Sequence, residues 1–182
     1  MQVKEQHFNA KDLLAHAKAC NGLTPEMEER FHQLREKITP LIPELVHESY
    51  EHLREASLLR DLTVDQGVSE EETSRLIQAI FTQPFDEATV EEIYALGRRQ
   101  MEQHFPFEVV SGLISLVSRR LVDRLFQISR DREELKRNIE AVLAAIAFNL
   151  QILQRAFLDR ELERFCKITG MSPKLIEQLS RV

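Results

Sequence analysis

The sequence predicts an all-α fold of about seven or eight helices that ends in two long ones, and three observations carry that reading. Five glycines and six prolines in 182 residues, no tryptophan, and abundant Leu, Glu, Arg, Gln and Ala make a helix-forming composition. No segment alternates apolar and polar residues between paired turn signals, as strands and hairpins require. Apolar residues instead recur at three- and four-residue spacings along most of the chain.

The first helix is expected from about Ala10 to Cys20, with Asn9 as its N-cap and Gly22 just beyond its end. Thr24-Pro25 opens the next, since a cap residue followed by proline suits a first turn, and Glu26, Glu28 and Glu29 favour the positive end of the helix dipole. Phe31, Leu34 and Ile38 give it an inward face, and Pro40 and Pro43 then impose a bend or a helix junction. From about Glu44 to Asp61 the stripe resumes as Val46, Tyr50, Leu53 and Ser57, with Leu45, Leu58 and Leu62 beside it. Ser69 and Glu72 form a capping box that opens a helix through Leu76, Ile77, Ile80 and Phe81. Asp86 caps another, which carries Val90, Ile93, Tyr94, Leu96 and Gly97 and is cut near Phe105 by Pro106.

Two long helices follow. The first, about Phe107 to Ser129, is apolar over a wide arc, with Val109, Leu113, Val117, Leu121, Leu125 and Ile128 flanked by Val110, Ile114 and Leu116. The second, about Arg132 to Ile168, repeats apolar residues at 135, 139, 142, 146, 150, 153 and 157 and extends for roughly 55 Å. Their width and length exceed what one core needs, so they read either as core helices or as a dimerising four-helix bundle, the latter being preferred. After a glycine stop signal, Ser172-Pro173 starts a last helix that ends without a cap, as expected of a fragment or truncated module.

Bulk properties narrow the function. A net charge of -6 argues against a general nucleic-acid surface. Cys20 and Cys166 form no CxxC pair, so neither a zinc site nor a secreted disulfide scaffold is suggested, and a cytoplasmic protein is expected. The N-terminus lacks the apolar core of a signal peptide, and no window is expected to reach the apolar length of a membrane span. There is no GxSxG, phosphate-binding glycine loop or HExxH, so no enzyme is expected. The acidic clusters 70–72, 91–92 and 133–134 stand at helix starts and solvent faces, where the dipole accounts for them.

Several widely spaced segments carry a resemblance. "ELVHESYEHL" resembles the stretch that bears the distal-side tyrosine of bacterial sensor globins (globin-coupled sensors and protoglobin-like domains), and Tyr50 falls on it. "RLIQAIFTQPFDEATVEEIYALGRRQ" resembles the run into their proximal helix, "HFPFEVVSGLISLV" the following corner, and "AFNLQILQRAFL" the last helix. The resemblance spans about Leu23 to Leu158. It implies a globin-like fold, with residues 1–22 as an N-terminal extension helix, 23–168 as the sensor-globin domain and 169–182 as the start of a connector to an effector domain. It further implies a homodimer through helices about 107–129 and 132–168.

The position of the family's iron-binding histidine, six residues before Pro106, is Gln100 in this chain. A neutral imidazole is a strong axial ligand and an amide oxygen a weak one. The resemblance is therefore to the haemless members, with no cofactor expected and haem possible only through a substitute. His104, one turn on, reads as that substitute or as a corner histidine. Tyr50 reads as a donor to a pocket ligand or as a core tyrosine. Gln100 pairs with a partner if it points inward and is a surface residue otherwise. Leu53, Ile93, Leu96 and Phe107 complete the candidate pocket. His7, His16, His32, His47 and His52 show no ligand spacing.

The function expected is a signal-sensing module that relays a ligand or partner signal through its dimeric helices to an effector or signalling partner. A haem-bound oxygen or redox sensor using His104 is the alternative, and a structural scaffold with a filled pocket is the third reading.

Overall fold

Most of the start and stop signals act where the sequence puts them. The computed structural model describes residues 8–55, 70–102 and 107–179. Helix α1 (Ala10–Cys20) is capped by Asn9, whose Oδ1 accepts from the Asp12 N–H at 3.2 Å. In α2 (Pro25–Ile38) the Thr24 hydroxyl accepts from the Met27 N–H at 3.2 Å, and Pro25 needs no partner for an N–H it lacks. The proline junction is a 3-10 turn, Thr39–Leu41, running straight into α3 (Ile42–Glu55), with Pro43 in the first turn where it is tolerated. The predicted continuation of α3 to Asp61, the side chains of Ser57, Leu58 and Leu62, and the Ser69 cap lie outside the described residues.

Helix α4 (Glu70–Thr82) is followed by α5 (Glu87–Glu102), where Asp86 Oδ1 accepts from the Thr89 N–H at 2.8 Å. Helix α6 (Phe107–Ile128) precedes α7 (Arg132–Thr169), whose cap was not foreseen: Asp131 accepts from the Glu134 N–H at 2.7 Å. Gly170 closes α7 in the left-handed region at φ 70°, its N–H on the Cys166 carbonyl at 2.9 Å, a conformation only glycine adopts at no cost. A short α8 (Pro173–Leu179) ends the described chain, and no described residue is in a strand.

Helix α7 is the spine of the fold. It packs on α1, α2, α4, α5 and α6, while α3 lies against α6 and α4. Phe148 of α7, Phe85 and Phe31 form a buried aromatic line with successive centroids 5.1 Å apart. This central role corrects two expectations. The wide apolar arc of α6 is core: Val109, Val110, Leu113, Ile114, Val117, Leu121 and Leu125 are all buried, so that width is no surplus. One stretch of α7 is long and apolar enough by length and composition to cross a membrane, contrary to the expectation that no window is, but 56% of it is buried inside the domain. Its hydropathy is that of a helix surrounded by protein.

Helices α5 and α7 approach closely at Gly97. A Cβ added there would lie 2.6 Å from Leu153 Cδ1 and 3.0 Å from Ala156 Cβ, both on fully buried residues. Gly97→Val is therefore expected to destabilise the fold by about 3 kcal/mol through overpacking. Calorimetry should show a Tm lower by about 6–12 °C.

At the other end of α7, Glu134 receives the Arg130 N–H at 2.7 Å and the Arg30 guanidinium of α2 at 2.8 Å. First the backbone N–H and then Arg30 hold its carboxyl down at about 2, below the ordinary 4.5. A depressed carboxylate contributes stability that is present above 4.5 and lost as pH falls through about 2. Thermal melts of Glu134→Gln should accordingly start below the wild type at neutral pH and converge on it as the pH approaches 2.

Candidate functional site

The inward face of α5 is set by helical periodicity. Val90, Ile93, Gly97 and Gln100 follow one another at three- and four-residue steps, and all four are buried. Gln100 is 1% exposed, so of the two orientations open to it the inward one is realised. A primary amide taken out of water costs about 1–3 kcal/mol unless it is hydrogen-bonded, and Gln100 is engaged by a neighbouring group.

Helix α3 supplies Tyr50, 3% exposed and likewise engaged by a neighbour, next to Val46 and Ser49. Ser49 is buried too, and folds its hydroxyl back onto the Leu45 carbonyl at 2.6 Å, which satisfies it without a ligand. Tyr50, Ile93 and Gln100 thus all point into the interior. The other pocket candidates diverge. Leu53 is half-buried at the margin of the core. Leu96 faces the seam between α4 and α5, where it lines an open groove of about 450 Å³ with Arg75, Gln78, Ala79 and Arg99. Phe107 stands edge-on to Phe157 of α7 at 4.8 Å and is part of that helix contact.

Among the described residues no imidazole points inward, since His16, His32, His47 and His52 are all exposed. His104 and His7 lie outside the described residues. Alongside the hydroxyls of Ser49 and Thr89, α3 and α5 bury the Tyr50 phenol and the Gln100 amide. Groups of these kinds can hydrogen-bond a polar ligand but supply no strong nitrogen donor.

Two buried polar residues on α7 went unnoticed in the sequence. Asn149, fully buried, donates from Nδ2 to the Ile80 carbonyl at 2.8 Å, satisfying a carbonyl in the last turn of α4. Asn138 accepts from Arg30 Nε at 2.6 Å and donates to Ser129 Oγ at 2.9 Å, tying α2 to the α6–α7 corner. The signal was present for Asn149, an amide set inside the apolar run "VLAAIAFNLQIL".

No curated protein matches the chain. Among solved structures the fold is similar to the globin domain of a Geobacter sulfurreducens globin-coupled sensor, with a TM-score of 0.64 and 18% identity over 79% of this chain and 96% of that one. The sequence itself matches the Protoglobin family over residues 10–163, which takes in α1 to α6 and all but the end of α7, and the chain belongs to that family.

Proposed function

We propose that the chain is a signal-sensing globin domain without standard haem ligation, not an enzyme, working in the cytoplasm as a homodimer that passes a ligand or partner signal to an effector. The burial of Gln100 on the inward face of α5 carries this reading, because it sets an amide where an axial imidazole belongs. A haem held by histidine does not fit the described interior: the polar side chains buried there, among them Tyr50, Thr89, Gln100 and Asn149, include no imidazole, and the described histidines face solvent. The residues suit a small polar ligand better, one able to exchange hydrogen bonds with an amide and a phenol.

Titration of the purified protein with hemin tests the proposal. The expected result is a weak, non-stoichiometric spectrum with no sharp Soret band. A Soret band at one haem per chain that disappears in His104→Ala would overturn it and establish the haem-bound alternative.

The dimer rests on a second observation. Leu143, Leu158, Phe165 and Ile168 of α7 are each about half exposed or more, and they share one outer face of the helix. Large exposed apolar side chains gathered on one face, here interrupted by Gln154 and Glu161, suit an interaction surface, and a second copy offers an identical face for a symmetric contact.

A further inference from the structure

Hydrophobic attachment of α7 ends at Phe157: between 158 and 169 no side chain is buried. Helix α7 nevertheless continues for three turns, and a polar row ties that end back to α5. The Tyr94 hydroxyl donates to Asp159 Oδ2 at 2.8 Å, and Arg155 Nε donates to the same atom at 3.0 Å. One turn along both helices, the two Nη atoms of Arg98 donate to Glu163 Oε1 and Oε2 at 2.7 and 2.6 Å, a bidentate fork. A further turn on, Glu102 lies 3.8 Å from Arg160. Residues 94 and 98 of α5 thus meet 159 and 163 of α7 at matching i, i+4 steps, and Gly97 beside them lets the helices meet closely.

We propose that this row is a releasable latch that sets whether the end of α7 stays docked on α5 or swings free, and so couples the interior to the chain beyond. The proposal rests on the reading of Gln100 as part of the sensing site. Arg98 and Glu102 flank Gln100 by two residues, a turn of about 200°, so α5 presents Gln100 inward and the latch outward. A ligand that moves α5 to suit Gln100 moves Arg98 with it. The charged fork of the latch is built to open: Arg98 is 26% and Glu163 51% exposed, so breaking it leaves no charge buried, while Tyr94 beside it is buried against the core. Arg98 holds the Glu163 carboxyl below the usual carboxylate range, so the acidic half of the fork stays ionised. A core contact in its place would hold the two helices together permanently. Phe8, stacked on Tyr94 with centroids 3.8 Å apart, covers the row from the N-terminal side.

Hydrogen exchange on the full ligand-free chain tests the latch. In Arg98→Gln, amide exchange over 159–169 should rise about tenfold while 141–153 stays protected, since local opening follows the contacts that are lost. Thiol labelling of Cys166 in a Cys20→Ser background should accelerate in parallel. The charge-swapped pair Arg98→Glu with Glu163→Arg should restore both. Wild-type exchange in Arg98→Gln and Asp159→Asn alike, or acceleration spread equally over 141–153, overturns the proposal. Because no ligand is involved, stoichiometric haem uptake by the wild type would sink the reading of Gln100 and leave this result standing.

Discussion

Gln100→His is expected to turn a chain that holds haem weakly into one with a sharp Soret band at one haem per protomer. Residue 100 is 1% exposed on the inward face of α5, in line with Ile93 one period earlier, so the new imidazole enters the interior from a rigid helix. The helix would carry the new side chain inward as it carries the amide, and only the donor would change. Replacing an amide oxygen with a neutral imidazole nitrogen should raise apparent affinity by about 100-fold or more, judging by what loss of far less direct support costs a metal site. Hemin titrations followed by visible absorption supply the measurement, with His104→Ala added to the Gln100→His background as a control that leaves the band in place. Equal, weak spectra for wild type and Gln100→His would show that the interior has no room for the macrocycle, and would favour a scaffold whose pocket is filled by its own side chains.

Helix boundaries were legible because they depend on neighbours in sequence. Asn9, Thr24 and Asp86 cap α1, α2 and α5 through bonds spanning three residues, which periodicity and cap chemistry reveal without tertiary information. The inward direction of Tyr50 and Ile93 followed from the same periodicity. Contacts between distant residues were not legible. Arg98 and Glu163 stand 65 residues apart, and each reads locally as an ordinary surface charge until α5 and α7 cross at Gly97.

The apolar series on α7 shows a subtler failure. Positions 135, 139, 142, 146, 150, 153 and 157 repeat with helical spacing, and Val142, Ile146, Leu153 and Phe157 among them are buried. That series is the core face. The face left for a partner, with Leu143 and Leu158, lies about 100° round the helix from Val142 and Phe157, and has polar interruptions such as Gln154 and Glu161 that disguise it. A helix surrounded by five others has apolar residues on nearly every side, so periodicity alone cannot tell which side remains open.

Glutamates at that open face are expected to split the dimer. Leu143, Leu158, Phe165 and Ile168 lie along one side of α7 at offsets of fifteen, seven and three residues, a seam of about 38 Å. Leu143→Glu with Leu158→Glu places two carboxylates per protomer, hence four per dimer, in a symmetric contact. An unpaired charge buried in an interface costs several kcal/mol, so the dissociation constant should rise by about 1000-fold or more. Sedimentation should find a dimer for the wild type and a monomer for the double variant. The fold itself should be spared, because Leu143 and Leu158 are 50% and 59% exposed in the single chain and a carboxylate there stays hydrated. Far-UV circular dichroism checks that point. The same two changes at buried positions, for example Val142 and Leu153, would unfold the protomer instead, which separates loss of pairing from loss of structure. A wild type that sediments as a monomer, or a double variant that remains dimeric, would move the contact away from the outer face of α7 and leave its exposed leucines to another partner.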